Sequence, residues 1–193
     1  MRVALVNPRW RYDNSIYFGC REPHLPLELG YAAARLAAAG HETLLLDGDL
    51  QELENGELAE RVAGFGAEMT AVTTAPTYLF WRCAPPELRT PAEFLAALGD
   101  RGGRTVAVGP HGSATPGAAL AKLGVDVVVR GECEAVLARL ADAGARARGI
   151  DGTSLRGADG AVISQGPGAA TAFVDEPPLV WPEAFARGHD HHH

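Results

Sequence analysis

The chain is 193 residues long and contains a single lysine, Lys122. With 17 basic against 24 acidic side chains, a formal charge of −7 and scattered arginines, it lacks the clustered positive charge that a phosphate backbone requires. This argues against a nucleic-acid partner. Long hydrophobic runs are also missing. No apolar stretch approaches the ~18 residues of a membrane span. The opening run Val3–Val6 closes on Asn7-Pro8, short of the roughly 7–15 apolar residues of a secretory signal. Cysteine is scarce: Cys20, Cys83 and Cys133 are odd in number, far apart and without C-x-x-C pairing, so neither a disulfide framework nor a zinc site is expected. Reduced thiols in a cytoplasmic protein with no membrane contact fit this composition.

Several phosphate and acyl-transfer signatures are absent as well. The first apolar run leads into Asn7-Pro8-Arg9-Trp10 rather than G-x-G-x-x-G, and no G-x-x-x-x-G-K-[ST] occurs. Gly112-Ser113 lacks the spacing of a G-x-S-x-G elbow.

What is present alternates. Arg2–Val6, Thr43–Leu46, Ala71–Thr74, Thr105–Val108 and Val125–Val129 read as strands. Leu27–Ala39 before Gly40, Leu58–Gly64, Pro91–Leu98, Pro116–Leu123 before Gly124, and Glu132–Ala143 read as helices. The order implies βαβ units: an α/β fold with a flavodoxin-like (Rossmann-type) doubly wound, parallel five-stranded sheet in the order 2-1-3-4-5. Residues 1–147 form this domain. Residues 148–164 alternate around Ala158-Asp159-Gly160 and predict a small β-hairpin appendage. Residues 165–193 are Gly- and Pro-rich, with linker composition. The histidines at 189 and 191–193 have metal-ligand side chains, but read as a tag or a native His-rich segment.

In such a sheet, ligands bind at the carboxyl ends of the strands, beside the switch point. Asn7–Glu22 carries Trp10, Tyr12, Tyr17 and Phe18, and Thr73–Arg89 carries Tyr78, Phe80 and Trp81, an aromatic platform suited to a large flat ligand. Packing of these rings onto the core is the alternative. The stretch Gly109-Pro110-His111-Gly112-Ser113-Ala114-Thr115-Pro116 offers close backbone approach and hydroxyls at a helix start. His111 could ligate or move a proton, though no partner lies nearby in sequence. Arg130-Gly131-Glu132 ends the fifth strand, with Glu132 at or beside a helix N-cap, as cap or ligand group.

In order, V-A-L-V-N-P, P-L-E-L-G-Y-A-A-A-R-L-A-A-A-G-H-E-T-L-L-L-D, V-T-T-A-P-T-Y, V-A-V-G-P-H-G-S-A-T-P and V-V-V-R-G-E-C-E resemble the N-terminal cobalamin-binding domain of cobalamin-dependent radical SAM enzymes. I-D-G-T-S-L-R and D-E-P-P-L-V-W resemble the hairpin and linker toward the radical SAM barrel. The resemblance implies a corrinoid over the strand ends with its nucleotide tail threaded into the domain. The cofactor-binding positions it implies are Asn7, Arg9, Trp10 and Tyr12 by the lower face, and Thr73, Thr74, Pro76 and Tyr78 after the third strand. They continue with Gly109, Pro110, His111, Gly112 and Thr115 after the fourth, and Arg130, Gly131 and Glu132 after the fifth. Pro110 replaces the second glycine of the family's Gly-Gly pair and removes an N–H donor. Without D-x-H-x-x-G, the implied cobalamin is base-off with no histidine on its metal. Without C-x-x-x-C-x-x-C, this chain lacks ligands for the [4Fe-4S] cluster that, with S-adenosylmethionine, would belong to a C-terminal radical SAM domain, most often that of a methyltransferase. Two other readings stand beside it: a nucleotide- or nucleotide-sugar-binding transferase domain, and a catalytically silent interaction domain whose crevice is filled by Trp10 and Trp81.

Overall fold

A computed structural model describes residues 1–10, 23–76, 88–170 and 177–188. Five strands, β1 (Arg2–Asn7), β2 (Glu42–Asp47), β3 (Met69–Thr73), β4 (Arg104–Val108) and β5 (Val127–Val129), pair in parallel in the order β2-β1-β3-β4-β5, as expected. β1, β3 and β5 are buried almost throughout because helices cover both faces. Alternate side chains go to opposite layers. Val3 and Leu5 pack with α1 (Leu27–Ala38) and α6 (Glu134–Asp142). Ala4 and Val6 pack with α2 (Asn55–Phe65) and α3 (Arg89–Leu98). Ala107 and Val128 meet α5 (Pro116–Leu123), which follows the short α4 (Pro110–Ala114).

Boundaries differ where capping is unusual. α2 starts at Asn55 rather than Leu58, because Glu54 and Glu57 form a capping box, and it ends at Gly66 rather than Gly64. α3 starts at Arg89, and Pro91 lies in its first turn, where a missing N–H breaks no helical bond.

The hairpin, β6 (Thr153–Arg156) and β7 (Val162–Gln165), extends the sheet. β6 pairs antiparallel with β5, so the five expected strands become seven in one sheet. Arg130 is the reason. Its backbone N–H donates to the Gly152 carbonyl at 2.7 Å, and its guanidinium Nη2 donates to the carbonyls of Gln165 at 2.7 Å and Gly166 at 2.6 Å. The Asp159-Gly160 turn is as expected, with Asp159 Oδ1 accepting from the Ala161 N–H at 3.0 Å.

The Pro-rich end is not free along its described length. A short helix, α7 (Glu183–Gly188), places Phe185 in the layer shared by α1 and α6 with no exposed surface, and Trp181 packs beside it. Among the described residues no helix is long and apolar enough to cross a membrane.

Phe94 is fully buried among Leu58, Val62, Val72 and Leu98. Phe94→Ala should therefore lower the free energy of unfolding in urea by about 3–5 kcal/mol, whereas Val162→Ala, at a residue 42% exposed on β7, should cost less than about 1 kcal/mol. Equal costs would contradict this placement of the core.

Candidate functional site at the carboxyl edge of the sheet

The carboxyl ends of the parallel strands form two unlike halves. Over β2, β1 and β3 the edge carries a buried polar cluster. The Asn7 amide Nδ2 donates to Asp47 Oδ2 at 2.6 Å, while Asn7 Oδ1 accepts from Thr73 Oγ1 at 2.7 Å and from the Trp10 indole at 2.9 Å. Asp47 Oδ1 accepts from the backbone N–H groups of Asp49 and Leu50, which shapes the turn after β2. Asn7, Asp47, Thr73 and Trp10 are all buried. Loss of a partner inside such a network costs about 1–3 kcal/mol for each polar atom left unpaired.

Several expected site residues thus face inward. Trp10 covers the cluster. Arg9 is paired with Glu54 at 2.8 Å and ties the segment after β1 to the start of α2. Thr74 staples β3 to β4, its N–H and Oγ1 both donating to the Val108 carbonyl at 2.8 and 2.9 Å. Pro76 is buried. Tyr12 and Tyr78, with Tyr17, Phe18, Phe80 and Trp81 of the aromatic platform, lie outside the described residues.

Over β4 and β5 the edge is open. A cavity of about 500 Å³ is bounded by Gly109, Pro110 and Ser113, by Gly131 to Glu134, by Glu28 of α1, and by Ala169 and Ala170. The expected loop after β4 is instead the helix α4. Gly109 has φ +111° and a Cβ there would meet Thr74 Oγ1 at 2.8 Å, so this turn needs glycine. Pro110 follows at the first helical position, where a missing N–H costs nothing. Gly112 turns away from the cavity and packs on β5, where a Cβ would lie 2.6 Å from Val128 Cγ1. His111 is half-buried, its Nδ1 enclosed without a partner, and it does not line the cavity. Thr115 is exposed, with its hydroxyl donating to the His111 carbonyl at 3.2 Å.

After β5, Gly131 bridges to Ala169: the Ala169 N–H donates to the Arg130 carbonyl at 2.8 Å and the Glu132 N–H to the Ala169 carbonyl at 3.0 Å. The Gly131 N–H donates to Ser113 Oγ at 2.8 Å, joining the two loops. The Arg130 Nη2 donates to the hairpin carbonyls, while its buried Nε has no partner among the described residues. Glu132 lies one residue before the N-cap of α6, which is Cys133. Of the expected residues, the structure brings Gly109, Pro110, Gly131 and Glu132 together around the cavity. Ser113, whose hydroxyl belongs to the same expected stretch, also lines it; Glu28, Cys133, Glu134, Ala169 and Ala170 complete the lining and carry no such expectation. Among the described residues no grouping of His, Cys, Asp or Glu is arranged to hold a metal ion.

Glu28, Glu132 and Glu134 are among the lining residues, and Cys133 between the last two feels their charge. Burial pushes its thiol well above the ordinary value, and the charges of Glu134, Glu28 and Glu132 raise it further.

No family model matches the sequence, and no curated protein does. Solved structures do. The chain is similar to the radical S-adenosylmethionine methyltransferase TsrM from Kitasatospora setae, solved with cobalamin and a [4Fe-4S] cluster bound. The TM-score is 0.66 at 21% identity, over 94% of this chain and 31% of that one. It is also similar to the cobalamin-dependent S-adenosylmethionine radical enzyme OxsB, solved with aqua-cobalamin and S-adenosylmethionine bound. There the TM-score is 0.69 at 14% identity, over 92% of this chain and 23% of that one. The chain spans less than a third of either protein.

Because its folded-state value is raised, the protonated Cys133 thiol contributes its full stability below the ordinary value of 9.0 and loses it as the pH climbs from there toward the raised value. Above pH 9.0 the melting temperature of the parent chain should fall more steeply than that of Cys133→Ala; parallel curves would show that the thiol is not held in this environment. At the level of architecture, the chain has the Rossmann-like α/β fold found in the matching part of these cobalamin-dependent radical SAM enzymes.

Proposed function

We propose that this chain is a cobalamin-binding domain, the cofactor-holding part of a radical SAM enzyme and specifically of a methyltransferase. One observation carries the reading: Gly109, Pro110, Gly131 and Glu132, from two separate turns, meet around one cavity at the carboxyl edge of the sheet. The likeness to TsrM and OxsB, each solved with a cobalamin, supports the same reading.

The lining fits a corrinoid in a particular way. The rim of a corrin carries carboxamide side chains, whose N–H groups match the carboxylates of Glu28, Glu132 and Glu134. We therefore assign the amide rim, rather than the phosphate of the nucleotide tail, to the Gly131–Glu134 side. When bound, cobalamin supplies methyl-transfer chemistry. The [4Fe-4S] cluster and S-adenosylmethionine would be held by a C-terminal radical SAM domain, since C-x-x-x-C-x-x-C is absent from this sequence. Three cysteines, far apart and without C-x-x-C spacing, agree with a reducing cytoplasm.

The other two readings have less support. A nucleotide-sugar diphosphate would face three carboxylates, while the Arg130 guanidinium is engaged by backbone carbonyls. A silent domain plugged by its own tryptophans does not suit Trp10, which is bonded to Asn7 and is not part of the cavity wall.

The cobalt is proposed to be base-off and free of histidine ligation, because D-x-H-x-x-G is missing and His111 does not line the cavity. Protein saturated with hydroxocobalamin should carry the red chromophore through gel filtration; a colourless protein peak contradicts cobalamin binding. After reduction to the Co(II) form, electron paramagnetic resonance should lack the triplet splitting of an axial nitrogen. A resolved triplet would refute the base-off, histidine-free state while leaving binding intact.

A further inference from the structure

We infer that Trp181, in the segment 177–188, is a positioning residue for the cavity, held against the helix that supplies Glu28 to it. This rests on the cobalamin reading only for the identity of the ligand. Trp181 lies directly on the backbone of α1 at Gly30, where any Cβ would overlap its ring carbons. Gly30 is buried two residues after Glu28, in the first turn of the helix that supplies this carboxylate to the cavity. The ring is itself held in place. It stacks on Phe185 with centroids 6.0 Å apart and planes at 21°. Phe185 is fully buried with Leu29, Ala32 and Leu36 of α1 and Val136, Leu137 and Leu140 of α6.

Phe185 thus shares the core layer of both helices whose first turns border the cavity, and Trp181 packs on α1 at Gly30. The segment that follows the hairpin also reaches the cavity directly, through Ala169 and Ala170. Close-packed interiors transmit displacement instead of absorbing it, so removing the Trp181 ring frees the first turn of α1 and with it Glu28. Exposed Val180 beside it, 82% accessible, is a control position that should leave the site unchanged.

The test uses the full chain with Cys20→Ser and Cys83→Ser, so that Cys133 in the cavity wall is the one remaining thiol. Two readouts are taken: the rate at which a disulfide reagent modifies Cys133, and the affinity for hydroxocobalamin. Trp181→Ala should raise the modification rate and weaken hydroxocobalamin binding, each by roughly tenfold, the order found when groups that orient a site are removed. Trp181→Phe should recover most of both, and Val180→Ala should change neither. If Trp181→Ala fails to fold, Gly30→Leu, which displaces the ring and leaves Phe185 in place, should give the same two changes. A folded Trp181→Ala or Gly30→Leu protein with parental Cys133 reactivity overturns the inference. Absence of hydroxocobalamin binding by the unaltered chain would instead overturn the cobalamin reading, and the thiol rate would still decide the role of Trp181.

Discussion

The carboxyl ends of three strands meet on one side chain, that of Asn7. Its amide uses both ends at once: Nδ2 donates to Asp47, and Oδ1 accepts from Thr73 and Trp10. This joins the end of β1 to the ends of its neighbours β2 and β3 on either side. The amide suits this place because its NH2 group donates while its carbonyl oxygen, with two lone pairs, accepts twice. The cluster consumes the polar groups at the point where the strand order reverses, which is where an open α/β sheet would otherwise present them to a ligand.

Among the described residues, a cavity at this edge lies at the ends of β4 and β5. There the chain does the opposite and leaves a gap. Gly109 lets α4 start against Thr74, Gly131 lets the backbone pair with Ala169, and Ser113 ties the two turns together. The floor is therefore main chain, while the charge comes from the first turns of α1 and α6 and the residues just before α6. Carboxylates at helix N-termini are stabilised by the helix dipoles; burial raises the Cys133 thiol most, and the charges of Glu134, Glu28 and Glu132 add to it.

Sequence reading recovered the elements whose signals are local. The strand runs, the glycines after α1 and α5 and the Asp159-Gly160 turn each depend on neighbours a few residues away. It mistook what depends on distant partners. A glutamate is not an expected N-cap, so α2 began too late; the capping box of Glu54 and Glu57 was the available signal. The composition around Pro177 and Pro178 reads as linker, yet Phe185 is fully buried, and nothing local distinguishes a docked aromatic from a free one. Within the site, glycine-bearing turns were legible because glycine at a strand end marks close approach. Arg130, Thr73, Thr74, Asn7 and Trp10 were not, since polar side chains at the same strand ends look alike in sequence whether they turn inward or outward.

Hydrogen exchange with and without saturating hydroxocobalamin tests most directly the claim that a corrinoid sits over β4 and β5. Slowed exchange is predicted at the amides of residues 109–114, 131–134 and 169–170, with little change at Asn7 and its partners, which are already sealed. Bound hydroxocobalamin that leaves those three stretches unchanged, or protects only the β1–β2 side, would contradict it.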